Sequence, residues 1–297
     1  MHVFVTGVGG FVGRRLTRVL LEAGARVSGS YFGPAPQLDD VVLYEADILD
    51  PTGLGRALRA ASPDVVVHLA GLSHVGESWQ RPGEYFRVNV LGTENVLDAA
   101  AGLRVVLASS AEVYGPVPEA EQPLHESRPV DPRTPYALTK AAAERLALHR
   151  GAVVARVFNL IGPGQSPAFA LPAFAAQLAA IENGGQEPVL RVGNLSARRD
   201  FVHVDDGADG LWRLARSGER GAIYNLASGE AVSIAEALDR LRQVSGVAAR
   251  VEPEAERMRP VDNPLLCGDA TALRTLGWVP ARGVEQALRD LWTSVRR

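Results

Sequence analysis

At 297 residues, with 46% hydrophobic and 22% charged side chains, the chain carries enough apolar mass for one large or two modest globular domains and lacks the composition of a disordered one. A net charge of -3 gives no general attraction to nucleic acid or to an anionic membrane, and the lone Cys267, with no cysteine–histidine cluster, excludes an internal disulfide and leaves no metal site to expect. No apolar run of about eighteen residues and no leader-like segment is present, which makes the cytoplasm the expected location.

In chain order, short apolar runs are expected as strands at 2–6, 25–30, 42–45, 64–69, 104–109 and 153–158, with helical patterns between them, the first over about 14–23. Runs apolar at every position read as parallel strands covered on both faces, so the expected fold is α/β, a doubly wound parallel sheet of the Rossmann kind. Directly after the first run stands ThrGlyValGlyGlyPheValGlyArgArg (6–15). Gly7, Gly10 and Gly13, with Phe11 and Val12 between them, permit a tight strand-to-helix turn and close approach of a pyrophosphate to the helix N-terminus. The second strand ends SerGlySerTyrPhe (28–32), without the acid that would hold the ribose hydroxyls. Nothing at Tyr31 repels a 2′-phosphate, although no arginine follows to grip one; NADP(H) is therefore favoured, with NAD(H) also admitted. Asp47 and Ile48, past the third strand, are candidates for the adenine edge.

The stretch ThrProTyrAlaLeuThrLys (134–140) holds the single lysine among 31 basic residues. Thr134 as N-cap and Pro135 as first helical residue predict a helix on which Tyr136 and Lys140, four apart, share a face. An ammonium close to a phenol favours phenolate, so a lowered Tyr136 pKa and a proton-transfer pair are expected. After residue 160 the character changes to loops with Gly162, Pro163, Gly164 and Pro167, then a helix over 172–182. The expected division is a dinucleotide-binding domain at 1–160 and a smaller C-terminal substrate domain at 161–297, part of 200–218 returning to pack on the first.

These motifs, together with HisLeuAlaGly (68–71), SerSerAlaGluValTyrGly (109–115), ArgValPheAsnLeuIleGlyProGlyGln (156–165), ArgAspPheValHisValAspAsp (199–206) and ArgProValAspAsnPro (259–264), resemble the extended short-chain dehydrogenase/reductase family of nucleotide-sugar epimerases, dehydratases and reductases. The resemblance implies that Ser110 orients the sugar's reacting oxygen, that Tyr136 is the acid/base, and that Lys140 also reaches the nicotinamide ribose. It further implies that Leu69, Ala70, Gly71 and Asn89 flank the cofactor and that Asn159, Arg199 and Arg259 contact the nucleotide diphosphate. Dehydratases of the family usually carry an acid pair after the strand hydroxyl; here Glu112 is kept and Ala111 replaces its partner. GlyAsnLeuSerAlaArgArgAsp (193–200) resembles GDP-mannose dehydratases and the reductases acting on their product, which implies reduction of a C4 ketone on GDP-4-dehydro-6-deoxy-mannose. Leu160 departs from the histidine common in the family. A UDP-hexose 4-epimerase is the alternative, from the ends of AlaGlyLeuSerHisValGlyGluSer (70–78), and an inactive NADP-sensing protein is a third reading, against which Ser110, Tyr136 and Lys140 are all present. The partners expected are a nucleotide sugar and a second copy of the chain, paired through helices near 84–100 and 136–149. His68, His74 and His203 are expected in structural roles.

Overall fold

Valine-rich runs build the first layer. In the computed structural model, which describes residues 1–257 and 263–296, the order is β1 (His2–Thr6), α1 (Phe11–Glu22), β2 (Arg26–Tyr31), β3 (Val41–Glu45), α2 (Pro51–Ala61), β4 (Val65–His68), α3 (Val75–Gln80), α4 (Pro82–Phe86), a π-helical turn at Arg87–Leu91, α5 (Gly92–Ala99), β5 (Arg104–Ser110), α6 (Pro135–His149) and β6 (Val153–Val157). The side chains alternate between faces as the pleat requires. Val3, Val5, Val65 and Val67 face Leu16 and Leu20 of α1, while Phe4 and Val66 face Leu54 and Leu58 of α2 and Ala143 of α6. Helix α1 begins at Phe11, earlier than expected from the sequence, because Gly13 sits inside its first turn instead of ahead of it.

Beyond β6 come β7 (Asn159–Ile161), α7 (Ala170–Glu182), β8 (Val189–Val192), β9 (Arg198–His203), α8 (Val204–Ser217), β10 (Ile223–Leu226), β11 (Ala231–Ser233), α9 (Ile234–Ser245), β12 (Arg250–Pro253), β13 (Leu265–Leu266), α10 (Thr271–Thr275) and α11 (Val284–Val295). Seven strands form one sheet in the order β10-β6-β5-β4-β1-β2-β3, with every neighbouring pair parallel. The segment 204–226 thus returns to the first layer: Leu211 and Leu214 of α8 join the α1 side of the core, and β10 extends the sheet beside β6. A second core gathers Leu171, Phe174 and Leu178 of α7, Leu238 and Leu241 of α9, and Leu288 and Leu291 of α11 over the short strands around β9. Strand order reverses around β1, whose neighbours are β2 and β4, and this opens a crevice at the carboxyl ends of β1 and β4. Among the described residues no helix is long and apolar enough to cross a membrane.

Candidate active site

The crevice is floored by the glycine turn. Gly7 has φ +70°, and a Cβ there would lie 3.0 Å from the Ala70 backbone. At Gly13 a Cβ would meet the Gly7 carbonyl oxygen at 2.3 Å, so helix and turn are in contact that only glycine allows. Gly10 is the N-cap of α1 and supplies no side-chain acceptor, so the first-turn N–H groups, at Phe11, Val12 and Gly13, keep their capacity for an anion. This cradle fits the pyrophosphate of a dinucleotide. Along its far side, Leu69 and Ala70 donate backbone N–H bonds to Thr6 Oγ1, both at 3.2 Å. Thr6 must then donate to His68 Nδ1 (2.7 Å), and His68 Nε2–H to Thr93 Oγ1 (3.1 Å), whose own hydroxyl donates to the Asn89 carbonyl (2.6 Å). Burial, with the Lys140 charge adding, lowers the His68 pKa to about 3, which keeps this relay neutral.

At the adenosine end, Tyr31 closes β2 and stands in register with Glu45 of β3. The Asp47 carboxylate holds its own turn, accepting from the Leu49 backbone N–H at 2.9 Å. Ile48 is buried against Gly92, and its carbonyl accepts from Asn95. Asn89 is fixed by its neighbours. Its amide oxygen accepts from Leu72 N (2.8 Å), and its Nδ2 donates to Leu72 O (3.0 Å) and Thr139 Oγ1 (3.0 Å). Both donors being spent, Asn89 clamps the segment after Gly71 onto α6.

Helix α6 presents the reacting groups. Thr134 caps it, accepting from Ala137 N at 3.1 Å, and the Tyr136 N–H donates to Ser78 Oγ. The Tyr136 hydroxyl lies near enough to Ser110, at the end of β5, for that hydroxyl to lower its pKa, and its ring meets Tyr85 edge-on. Burial pushes the phenol up to about 12; the Ser110 hydroxyl opposes this in part, and the Glu112 charge adds to the rise. This reverses the lowered value expected from the Tyr136–Lys140 spacing. The physical reason is that removal from water outweighs the neighbouring hydroxyl, while the lysine turns elsewhere: Lys140 Nζ donates to the Ala108 carbonyl at 2.6 Å. Burial lowers Lys140 to about 8, against an upward pull from Glu144.

Two sets of residues were missed from the sequence. Glu144 is clasped by Arg156, the two being 3% and 4% exposed, and accepts from Ser109. Arg156 stacks 4.7 Å over the Tyr114 ring, and Tyr114 donates to Asn225 on β10. Second, Asn263 Nδ2 donates to Glu112 at 3.1 Å while its carbonyl accepts from Arg199 at 2.6 Å. Asn263 lay within ArgProValAspAsnPro, a motif read only for its arginine. Arg259 itself lies outside the described residues.

A cleft of about 760 Å³ opens on the second layer, lined by Asn159, Leu160, Arg199, Asn194, Phe169 and His74 among others. Arg199 and Asn159 are brought together here. Ser110 and Tyr136 are not part of its lining and connect to it through Glu112 and Asn263. Leu160, in the position of the family's histidine, packs on Gly207, where a Cβ would be 2.7 Å away. His74 accepts from Glu77 N through Nδ1 and donates from Nε2 to the Ala168 carbonyl at 2.9 Å; His203 caps α8 and bonds Asp290. Among the described residues no cluster of His, Cys, Asp and Glu could hold a metal ion.

Comparison with known proteins gives the following. Residues 3–227 match the family model of the NAD dependent epimerase/dehydratase family. GDP-6-deoxy-D-mannose reductase of Pseudomonas aeruginosa is 38% identical over 98% of this chain and 95% of its own. RMD from Pseudomonas aeruginosa complexed with NADPH superposes with a TM-score of 0.87 at 36% identity, covering 99% of this chain and 98% of that one. UDP-glucose 4-epimerase of Thermus thermophilus in complex with NAD superposes with a TM-score of 0.90 at 30% identity, covering 100% and 99%.

Proposed function

The chain belongs to the NAD dependent epimerase/dehydratase family, and from that premise we propose that it reduces the C4 ketone of GDP-4-dehydro-6-deoxy-mannose with NADPH, giving a GDP-6-deoxyhexose. The observation that carries this reading is the Ser110–Tyr136 hydroxyl pair beside Ala111. The phenol, pushed up to about 12, stays protonated at neutral pH, as a proton donor to a carbonyl must, and no second acid stands next to Glu112 for an elimination. The similarity to GDP-6-deoxy-D-mannose reductase supports the guanine nucleotide.

NADPH, when bound, supplies the hydride. The chain's own residues do the rest. Gly7, Gly10, Phe11, Val12 and Gly13 cradle the pyrophosphate, Tyr31 and Ile48 flank the adenosine, and Leu69, Ala70 and Gly71 form the wall held by Thr6 and Asn89. Asn159, Arg199 and Arg259 grip the sugar-nucleotide diphosphate, arginine suiting phosphate through its bidentate fork. Ser110 donates to the C4 oxygen and orients it, and Tyr136 gives that oxygen its proton as charge develops, regaining one from solvent. Lys140 holds the nicotinamide ribose, and Glu112 stands at the sugar end.

The epimerase reading is favoured by one observation, the superposition on the Thermus thermophilus epimerase. Offering both substrates to the purified protein decides. Stoichiometric loss of NADPH absorbance with the GDP ketosugar supports the reductase; interconversion of UDP-galactose and UDP-glucose without added cofactor, and no NADPH oxidation, overturns it. Trp79, Phe86, Leu91 and Leu138 expose apolar side chains along α3, α4, the π turn and α6, which supports a homodimer through that face.

A further inference from the structure

The β2 end offers no basic residue to a 2′-phosphate, yet the structure brings one there from α1. Register pairs Thr6 with Ser30, and the Ser30 carbonyl accepts from the N–H groups of Gly7 and Val8 at 3.0 and 3.2 Å, so the glycine turn is tied to the end of β2. The loop after β2 folds back on the turn: a Cβ at Gly9 would lie 2.9 Å from Pro36. Arg14 spans this seam. Its Nε donates to the Gly9 carbonyl at 2.9 Å and its Nη1 to the Gln37 carbonyl at 3.2 Å.

Charge separates Arg14 from its neighbours. Arg15 and Arg18, on the same helix, are drawn to Asp205 at 3.8 and 2.8 Å. Arg14 makes no ion pair among the described residues and is exposed. Two backbone carbonyls fix its orientation without neutralising it, and among the described residues Nη2 has no partner. A dinucleotide with its pyrophosphate on the glycine turn lays its adenosine ribose over the end of β2, beside this fork.

We propose that Arg14 is the residue that binds the adenosine 2′-phosphate, and so selects NADPH over NADH, in place of a basic residue after β2. The inference rests on the NADPH reading of the site and is independent of the sugar. A charged, hydrogen-bonded phosphate contact corresponds to roughly a 10- to 100-fold difference in affinity.

The test is calorimetric titration of wild-type protein, Arg14→Ala and Arg14→Gln with NADPH, NADH, 2′,5′-ADP and 5′-ADP, without any sugar nucleotide. The expected result in both variants is a ~10- to 100-fold loss for NADPH and 2′,5′-ADP, with NADH and 5′-ADP held within about twofold; the retained NADH binding also reports an intact fold. Wild-type selectivity for 2′,5′-ADP over 5′-ADP should shrink as salt rises, and the variants should lack that dependence. Equal losses for all four ligands would make Arg14 a staple of the Gln37 loop, and an NADPH preference that survives both substitutions would also overturn the proposal. Wild-type protein binding NADH as tightly as NADPH would remove the NADPH reading along with it.

Discussion

The Lys140 ammonium donates to the carbonyl of Ala108, two residues before Ser110 on β5, at 2.6 Å. The pair fixes α6 to β5 at the point where both deliver a hydroxyl to the site, so the charge on Lys140 bears on geometry as well as on electrostatics. With its pKa lowered to about 8, Lys140 is charged at neutral pH and discharges within the range of ordinary assays. We expect kcat/KM for the ketosugar to be level up to about pH 8 and to fall above it, and the falling limb to disappear in Lys140→Met, whose rate is low throughout. The stability effect has the opposite sense. The unfolded lysine keeps its proton to near 10.5, so between about 8 and 10.5 the unfolded chain binds more protons and stability from this residue rises with pH. Urea midpoints across that window should rise more in wild type than in Lys140→Met.

Tyr136 titrates far above that limb, at about 12, so the alkaline fall should not track the phenol. Tyr136→Phe should lower turnover by about 10²–10⁴-fold, the usual contribution of a general acid. NADPH affinity in a fluorescence titration should change little, because Ser110 and Lys140 remain. Near-normal turnover in this variant would remove Tyr136 from the proton-transfer step.

The contact at Gly13 makes a sharp packing test. A methyl group there would lie 2.3 Å from the Gly7 carbonyl and 2.6 Å from that of Val8, both backbone atoms. Gly13→Ala should cost about 1–3 kcal/mol, the range for overpacking a close contact, and weaken NADPH and NADH together. Denaturant titration and cofactor binding measure the two effects separately.

Removing one half of the Glu144–Arg156 pair leaves a buried charge without its partner. Arg156→Met should destabilise the protein by about 3–5 kcal/mol, and adding Glu144→Gln should recover a large part of that loss, because the double variant buries no charge. The readout is the double-mutant cycle in denaturant. Additive losses would show that the pair acts independently.

Local patterns were legible before the structure: the glycine turn, the Thr134 cap, and the succession of valine runs that became β1 to β6. Each depends on residues a few positions apart. Glu144 was not legible because its partner Arg156 belongs to the next strand, and Asn263 was not because it meets Glu112 from across the chain, |i−j| being 12 and 151. The Tyr136 pKa failed for another reason. Spacing along a helix names the nearest side chain on the same face, but it carries no information on how far the phenol is withdrawn from water, and here burial decides the sign. The role of β10 was hidden by its brevity, since a run as short as Ile223–Leu226 looks the same in a sheet edge as in a loop.

The return of β10 to the sheet has a bearing on biosynthesis. Strands β1 to β6 can pair as each leaves the ribosome, but β6 waits for a partner that is encoded only at 223–226. At about 5–20 residues per second this leaves the carboxyl-side edge of a valine-rich parallel sheet bare for several seconds. An unpaired edge of that kind invites pairing with another nascent chain. Slow decoding between 160 and 220 should therefore lower soluble yield more than equal slowing before residue 150, and chains truncated after β6 should aggregate where chains extended past α8 and β10 do not.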